Sequence, residues 1–84
     1  MTRSKVEGQR EHAAVRSLER YGVWLDRSHQ REIILQIQSG RDATFLERRS
    51  NRVSIWQVIY HGRPMRVVYD KKRHSLATVL PVAD

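Results

Sequence analysis

Ile33-Ile34-Leu35-Gln36-Ile37-Gln38-Ser39-Gly40-Arg41-Asp42-Ala43-Thr44-Phe45-Leu46-Glu47-Arg48 is where the chain changes its period. Before Gly40, apolar residues recur at three and four, the spacing of one helix face; after it they recur at two, the spacing of a strand. Ile33, Ile34 and Ile37, with Gln30 ahead of them, form an inward stripe, and Asp26 or Ser28 supplies an N-cap oxygen. Ser39-Gly40 is the stop signal.

Upstream, Glu7 to Tyr21 reads as a first helix with an apolar stripe of Ala14, Val15, Leu18 and Tyr21, closed by Gly22. Residues 1–6 read as a frayed start, and Val23-Trp24-Leu25 as a connector tucked on the core. Downstream, four strands are expected: Thr44–Arg48, Val53–Tyr60, Met65–Tyr69 and Leu76–Leu80. Ser50-Asn51, His61-Gly62 and Asp70–His74 are the turns between them, and Pro81 stops the last strand. Two helices followed by an antiparallel meander make an α+β fold, ααββββ, with both helices on one sheet face. Pairing Tyr60 with Met65 sets Trp56 opposite Tyr69 and Val58 opposite Val67. On that register the more uniformly aliphatic face (Val53, Ile55, Ile59, Val68, Ala77, Val79) is expected to meet the helices, and the Trp56/Tyr69/Thr78 face to be partly open.

Composition narrows the function. The chain has 84 residues, read as one domain over 1–84 with a core at about 9–81, and such a chain buries roughly 60% of its unfolded surface. It has no cysteine, which excludes disulfides, thiolate metal sites and thiol catalysis. The four histidines lack ligand spacing, so neither metal nor cofactor is expected. The longest aliphatic run, Ile33-Ile34-Leu35, is far short of a membrane span, and no signal peptide is evident. A soluble, cytoplasmic protein is expected. Sixteen Lys+Arg against nine Asp+Glu give a formal charge of +7. That excess suits a polyanion, nucleic acid by default, with solubility alone as the competing reading.

Three constellations carry candidate chemistry. His12 and Arg16, with Glu19 beyond, share one helix flank; an arginine clamps phosphate while a histidine exchanges protons near neutral pH. A solvated helix face is the competing reading. Arg48, Arg49 and Arg52 at one turn, with Lys71, Lys72 and Arg73 at another, can form a single positive rim at one end of the sheet. Lys and Arg that merely protect sheet edges are the alternative. Trp56 and Tyr69 can stack unpaired bases, or pair across strands in the core.

His12-Ala13-x-x-Arg16-x-x-Glu19-Arg20-Tyr21-Gly22-Val23, then Ile33, Ile34, Ile37 and Gly40, then Val67-Val68-Tyr69-Asp70 and Ala77-Thr78-Val79, resembles a group of small bacterial and phage domains. These domains are placed with the RelE-like and colicin-D-like ribonucleases, and the resemblance runs from about His12 to Pro81. It implies metal-independent RNA cleavage by attack of a 2′-hydroxyl on the adjacent phosphate. His12 and Arg16 match the helical motif and Thr78 the last-strand motif, as catalytic residues; Tyr69 and Asp70 match the approach to the last turn. Arg52 and Lys71 are added on electrostatic grounds alone. The expected protein is a toxin-like or phage-encoded ribonuclease, with an antitoxin, immunity or host protein as a further partner. The alternative is a non-catalytic domain that binds nucleic acid or a host protein.

Overall fold

Gly40 breaks the chain where the period changes. Its φ of 74° is left-handed, and its amide reaches back to the carbonyls of Gln36 and Ile37. The computed structural model describes residues 5–82. Helix α1 runs Lys5–Tyr21 and α2 runs Arg27–Ser39; strands β1 (Ala43–Arg48), β2 (Val53–Tyr60), β3 (Arg63–Asp70) and β4 (Ser75–Leu80) follow. They form one antiparallel sheet in the order β1-β2-β3-β4, with the helices packed against it. The frayed start expected over 1–6 falls largely outside the described residues, and the helix already includes Lys5. Asp26 is the N-cap of α2; its carboxylate accepts from the His29 amide at 2.9 Å. No helix is long and apolar enough to cross a membrane, among the described residues.

Three expectations need correction. First, α1 buries Ala13, Ala14 and Ser17, while Val15 and Leu18 are exposed, Leu18 at 49%. Small side chains let the helix approach β4 closely, so the sheet takes the small stripe rather than the bulky one. Second, the β2–β3 register pairs Tyr60 with Arg63, Val58 with Met65, Trp56 with Val67 and Ser54 with Tyr69. His61 and Gly62, both at positive φ, make the tight two-residue turn that a right-twisted hairpin favours.

Third, the sheet faces are reversed on β2 and β3, while Val79 meets the helices and Thr78 lies on the open face as expected. The helices cover Val58, Tyr60, Met65, Val67, Tyr69, Leu76 and Val79. Tyr60, Tyr69 and Met65 carry more apolar area than the valines behind them, so burying their face removes more surface from water. The register shifts between β3 and β4 after Val68, pairing Val67 with Val79 and Tyr69 with Leu76. This bulge brings Leu76 and Val79 to one face and leaves Thr78, paired with Val68, on the other. The second face carries no further layer among the described residues; Ile55 (4% exposed) and Val68 (9%) are shielded by their neighbours on it.

Candidate nucleic-acid interface

Asp70 ends β3 and fastens the two turns at that end of the sheet. It is a polar turn residue by sequence, yet only 1% exposed. One oxygen accepts from the amides of Lys72 (3.0 Å) and Arg73 (3.1 Å). The other accepts from Arg52 Nη2 at 2.7 Å and from Gln9 Nε2 of α1 at 3.1 Å. Arg73 Nη1 stands 3.9 Å from the same oxygen. Burial alone would push the carboxyl up; the hydrogen bonds from Arg52, Gln9 and the Arg73 amide outweigh it and hold the group well below the usual carboxylate range. Ser75 Oγ hydrogen-bonds the other end of the Gln9 amide. The Lys71 amide also donates to the Arg52 carbonyl at 2.7 Å, so the β1–β2 and β3–β4 turns are neighbours.

The cations of the two turns therefore divide into two groups. Arg52 and Arg73 face the Asp70 carboxylate and hold the turns together. Arg48, Arg49, Lys71 and Lys72 are exposed. Arg48 folds over its own turn, donating to the Ser50 carbonyl at 3.3 Å and to the Asn51 side chain. Arg49 pairs with Glu47 at 3.3 Å in full view of solvent, a contact of little energetic weight.

An aromatic ring lies beside these cations. Phe45, 52% exposed, lines a depression of about 290 Å³ together with Arg48, Arg52, Ser54 and Lys71. It stands edge-on to Trp56, ring centroids 5.6 Å apart. Trp56 is half-buried and its indole N–H is taken by Ser54 Oγ at 2.8 Å. Tyr69 is buried in the core, its hydroxyl accepting from Gln38 at 3.3 Å. Of the three aromatics, Phe45 is the one whose ring is open to a base. It was not among the residues read from the sequence, because its exposure depends on how far the helices extend over edge strand β1.

A second cationic groove of about 390 Å³ runs between the helices and the β3–β4 turn. Arg10 of α1, Arg27 and Arg31 of α2, and His74 of the turn line it. The Gln30 side chain, buried beneath, ties the elements by donating to the carbonyls of Arg10 and Leu25, each at 2.9 Å. These three arginines are remote in sequence from the turn cations, so spacing alone did not group them.

The helical constellation lies apart. His12 is exposed on α1. Arg16 is paired with Glu19 at 2.8 Å. Thr78 is on the sheet face opposite the helices, so the structure does not bring it to His12 and Arg16. No three His, Cys, Asp or Glu side chains converge as metal ligands among the described residues. Comparison of the chain with protein-family models, with curated proteins and with solved structures finds no match. The reading of the site therefore rests on its geometry.

Proposed function

We propose that the protein binds single-stranded nucleic acid, RNA foremost, across the turn end of its sheet. The observation that carries this reading is the exposed Phe45 ring set among Arg48, Arg52 and Lys71. A ring open to solvent accepts the face of an unstacked base, and flanking cations hold the phosphates on either side. A duplex presents no such free base face, which is why a single strand is favoured. Arg49 and Lys72 extend the positive surface, and Arg52 and Arg73 act by keeping the Asp70 junction closed. The groove of Arg10, Arg27, Arg31 and His74 offers the strand a continuation.

The test is fluorescence anisotropy with a labelled single-stranded RNA against wild type, Phe45→Ala and Arg48→Ala/Lys71→Ala. Losing one stacked base costs about 1–3 kcal/mol, or about 5- to 150-fold in affinity. Equal affinity of wild type and Phe45→Ala for a single strand refutes stacking. Tight binding of an acidic protein without RNA binding assigns the surface to the host-protein alternative.

The ribonuclease reading is retained on one observation: the His12 imidazole is open to solvent, one helical turn from Arg16. In it His12 takes the proton of the 2′-hydroxyl as its oxygen bonds to phosphorus, the bond from phosphorus to the 5′-oxygen breaks, and that oxygen takes a proton from water. Arg16 leaves Glu19 to hold the phosphate, and the turn surface supplies RNA binding. The ααββββ order fits the RelE-like and colicin-D-like resemblance. Incubation with RNA in EDTA decides this: 2′,3′-cyclic ends that vanish in His12→Ala support cleavage, and inert wild type leaves binding alone.

A further inference from the structure

The opposite end of the sheet carries a cavity that the turn surface does not use. The β2–β3 hairpin closes about 320 Å³ lined by Val23, His29, Tyr60, His61, Arg63 and Met65. Such a volume lies in the range of small-ligand sites, and an apolar floor with a few polar groups is their usual construction. Val23 and Met65 pack with the hydrophobic core and supply apolar wall. Tyr60 is pinned by its hydroxyl to Glu32 at 3.0 Å. Its ring is met edge-on by both imidazoles, with centroid separations of 6.0 Å to His29 and 4.3 Å to His61.

Of the polar groups, Arg63 is anchored by a hydrogen bond, and the His29 and His61 rings rest edge-on against Tyr60. His29 Nδ1 stands 3.1 Å from the Asp26 carboxylate, which leaves Nε2 as the ring nitrogen not facing that group. Arg63 Nη1 donates to the Tyr21 carbonyl at 2.7 Å, which anchors the guanidinium while its other donors remain. His61 has a φ of 52°, in a two-residue hairpin turn where Asn or Gly is the common choice. Three carboxylates stand nearby: Asp26 is engaged by Ser28 and the His29 amide and Glu32 by Tyr60, while Asp42 lines the adjoining depression on the far side of Tyr60 and His61.

We propose that this cavity binds a mononucleotide unit, its base against Val23, Tyr60 and Met65 and its phosphate at His29, His61 and Arg63. The choice of ligand rests on the nucleic-acid reading; the cavity itself does not. Two imidazoles and a guanidinium around one opening match a phosphate dianion, and the apolar wall matches a base edge or face. A strand gripped at the turn end would then have a separate site for a terminal nucleotide at the hairpin end.

The experiment is an NMR titration of the full chain with AMP, adenosine and inorganic phosphate, following the His29 and His61 ring signals. AMP is expected to bind with a dissociation constant below about 1 mM, at least about tenfold tighter than adenosine or phosphate. His61→Asn suits the left-handed backbone and should keep the thermal midpoint while losing AMP binding by about tenfold or more. Arg63→Gln, a second folded variant, should lose it likewise. Folded variants that bind AMP as wild type does overturn the proposal, as does phosphate binding as tightly as AMP. Arg48→Glu/Lys71→Glu separates the two sites: it should weaken binding of a long RNA and leave AMP binding intact. AMP signals confined to the Arg48 and Lys71 side overturn the hairpin site without touching the turn-end reading.

Discussion

Replacing Asp70 with asparagine keeps the shape of the side chain and removes its charge. The carbonyl of the new amide still accepts from the Lys72 and Arg73 amides, but its NH₂ then faces two donors, Arg52 Nη2 and Gln9 Nε2. A hydrogen bond to a charged partner is worth about 1.5–3 kcal/mol and a neutral one about 1 kcal/mol. Arg52 keeps about a third of its side chain in solvent, which places its share at the low end. The expected loss is therefore about 2–3 kcal/mol, read in urea at pH 7, and a fall in thermal midpoint of about 10–20 °C for a domain of this size. Acid gives an independent check. The folded carboxyl is held below its unfolded value, so its contribution is complete above about pH 4 and is lost as the pH falls through the folded value. Wild type should weaken progressively below about pH 4, and Asp70→Asn should run flatter there. A variant within about 0.5 kcal/mol of wild type, or with the same acid slope, would refute the view that Asp70 fastens the turns.

His12→Ala should change stability by less than about 0.5 kcal/mol, as expected of an exposed helix position, measured by urea denaturation. Gly40→Ala should cost about 1 kcal/mol by the same assay, because φ is 74° there while no atom crowds the added methyl. The affinity for single-stranded RNA should fall with salt, at about 0.7 in log–log slope per phosphate contact. Charge reversal at Arg48, Arg49 and Lys71 should flatten that slope; an unchanged slope would place the contacts elsewhere.

The break at Gly40 was legible because one residue both ends a helix and begins a change of period. The strand spans and the nearness of the two turns followed from the same alternation. Burial on α1 was not legible, because Ala13 and Ser17 are chosen for the closeness they allow, and a reading that follows bulk picks Val15 and Leu18. The sheet faces failed on β2 and β3 because a uniformly aliphatic face was preferred to the one carrying Tyr60, Met65 and Tyr69; the bulge after Val68 then shifts β4 by one residue, so that Val79 and Thr78 still fall on the sides expected of them. Asp70 looked like an ordinary turn residue, since the groups that bury it come from Gln9, 61 positions away, and Arg52. Phe45 and the His29/His61 cavity depend on where three-dimensional coverage ends, which no local pattern states.

Ultraviolet crosslinking of a short single-stranded RNA to the wild-type protein, followed by mass spectrometry of the attached peptides, tests the binding claim most directly. The account predicts attachment at Phe45, beside Arg48, with further attachment in the peptide that holds Lys71, and loss of the Phe45 attachment in Phe45→Ala. Attachment confined to the His12–Arg16 face of α1, or to the sheet face that bears Thr78, would contradict it.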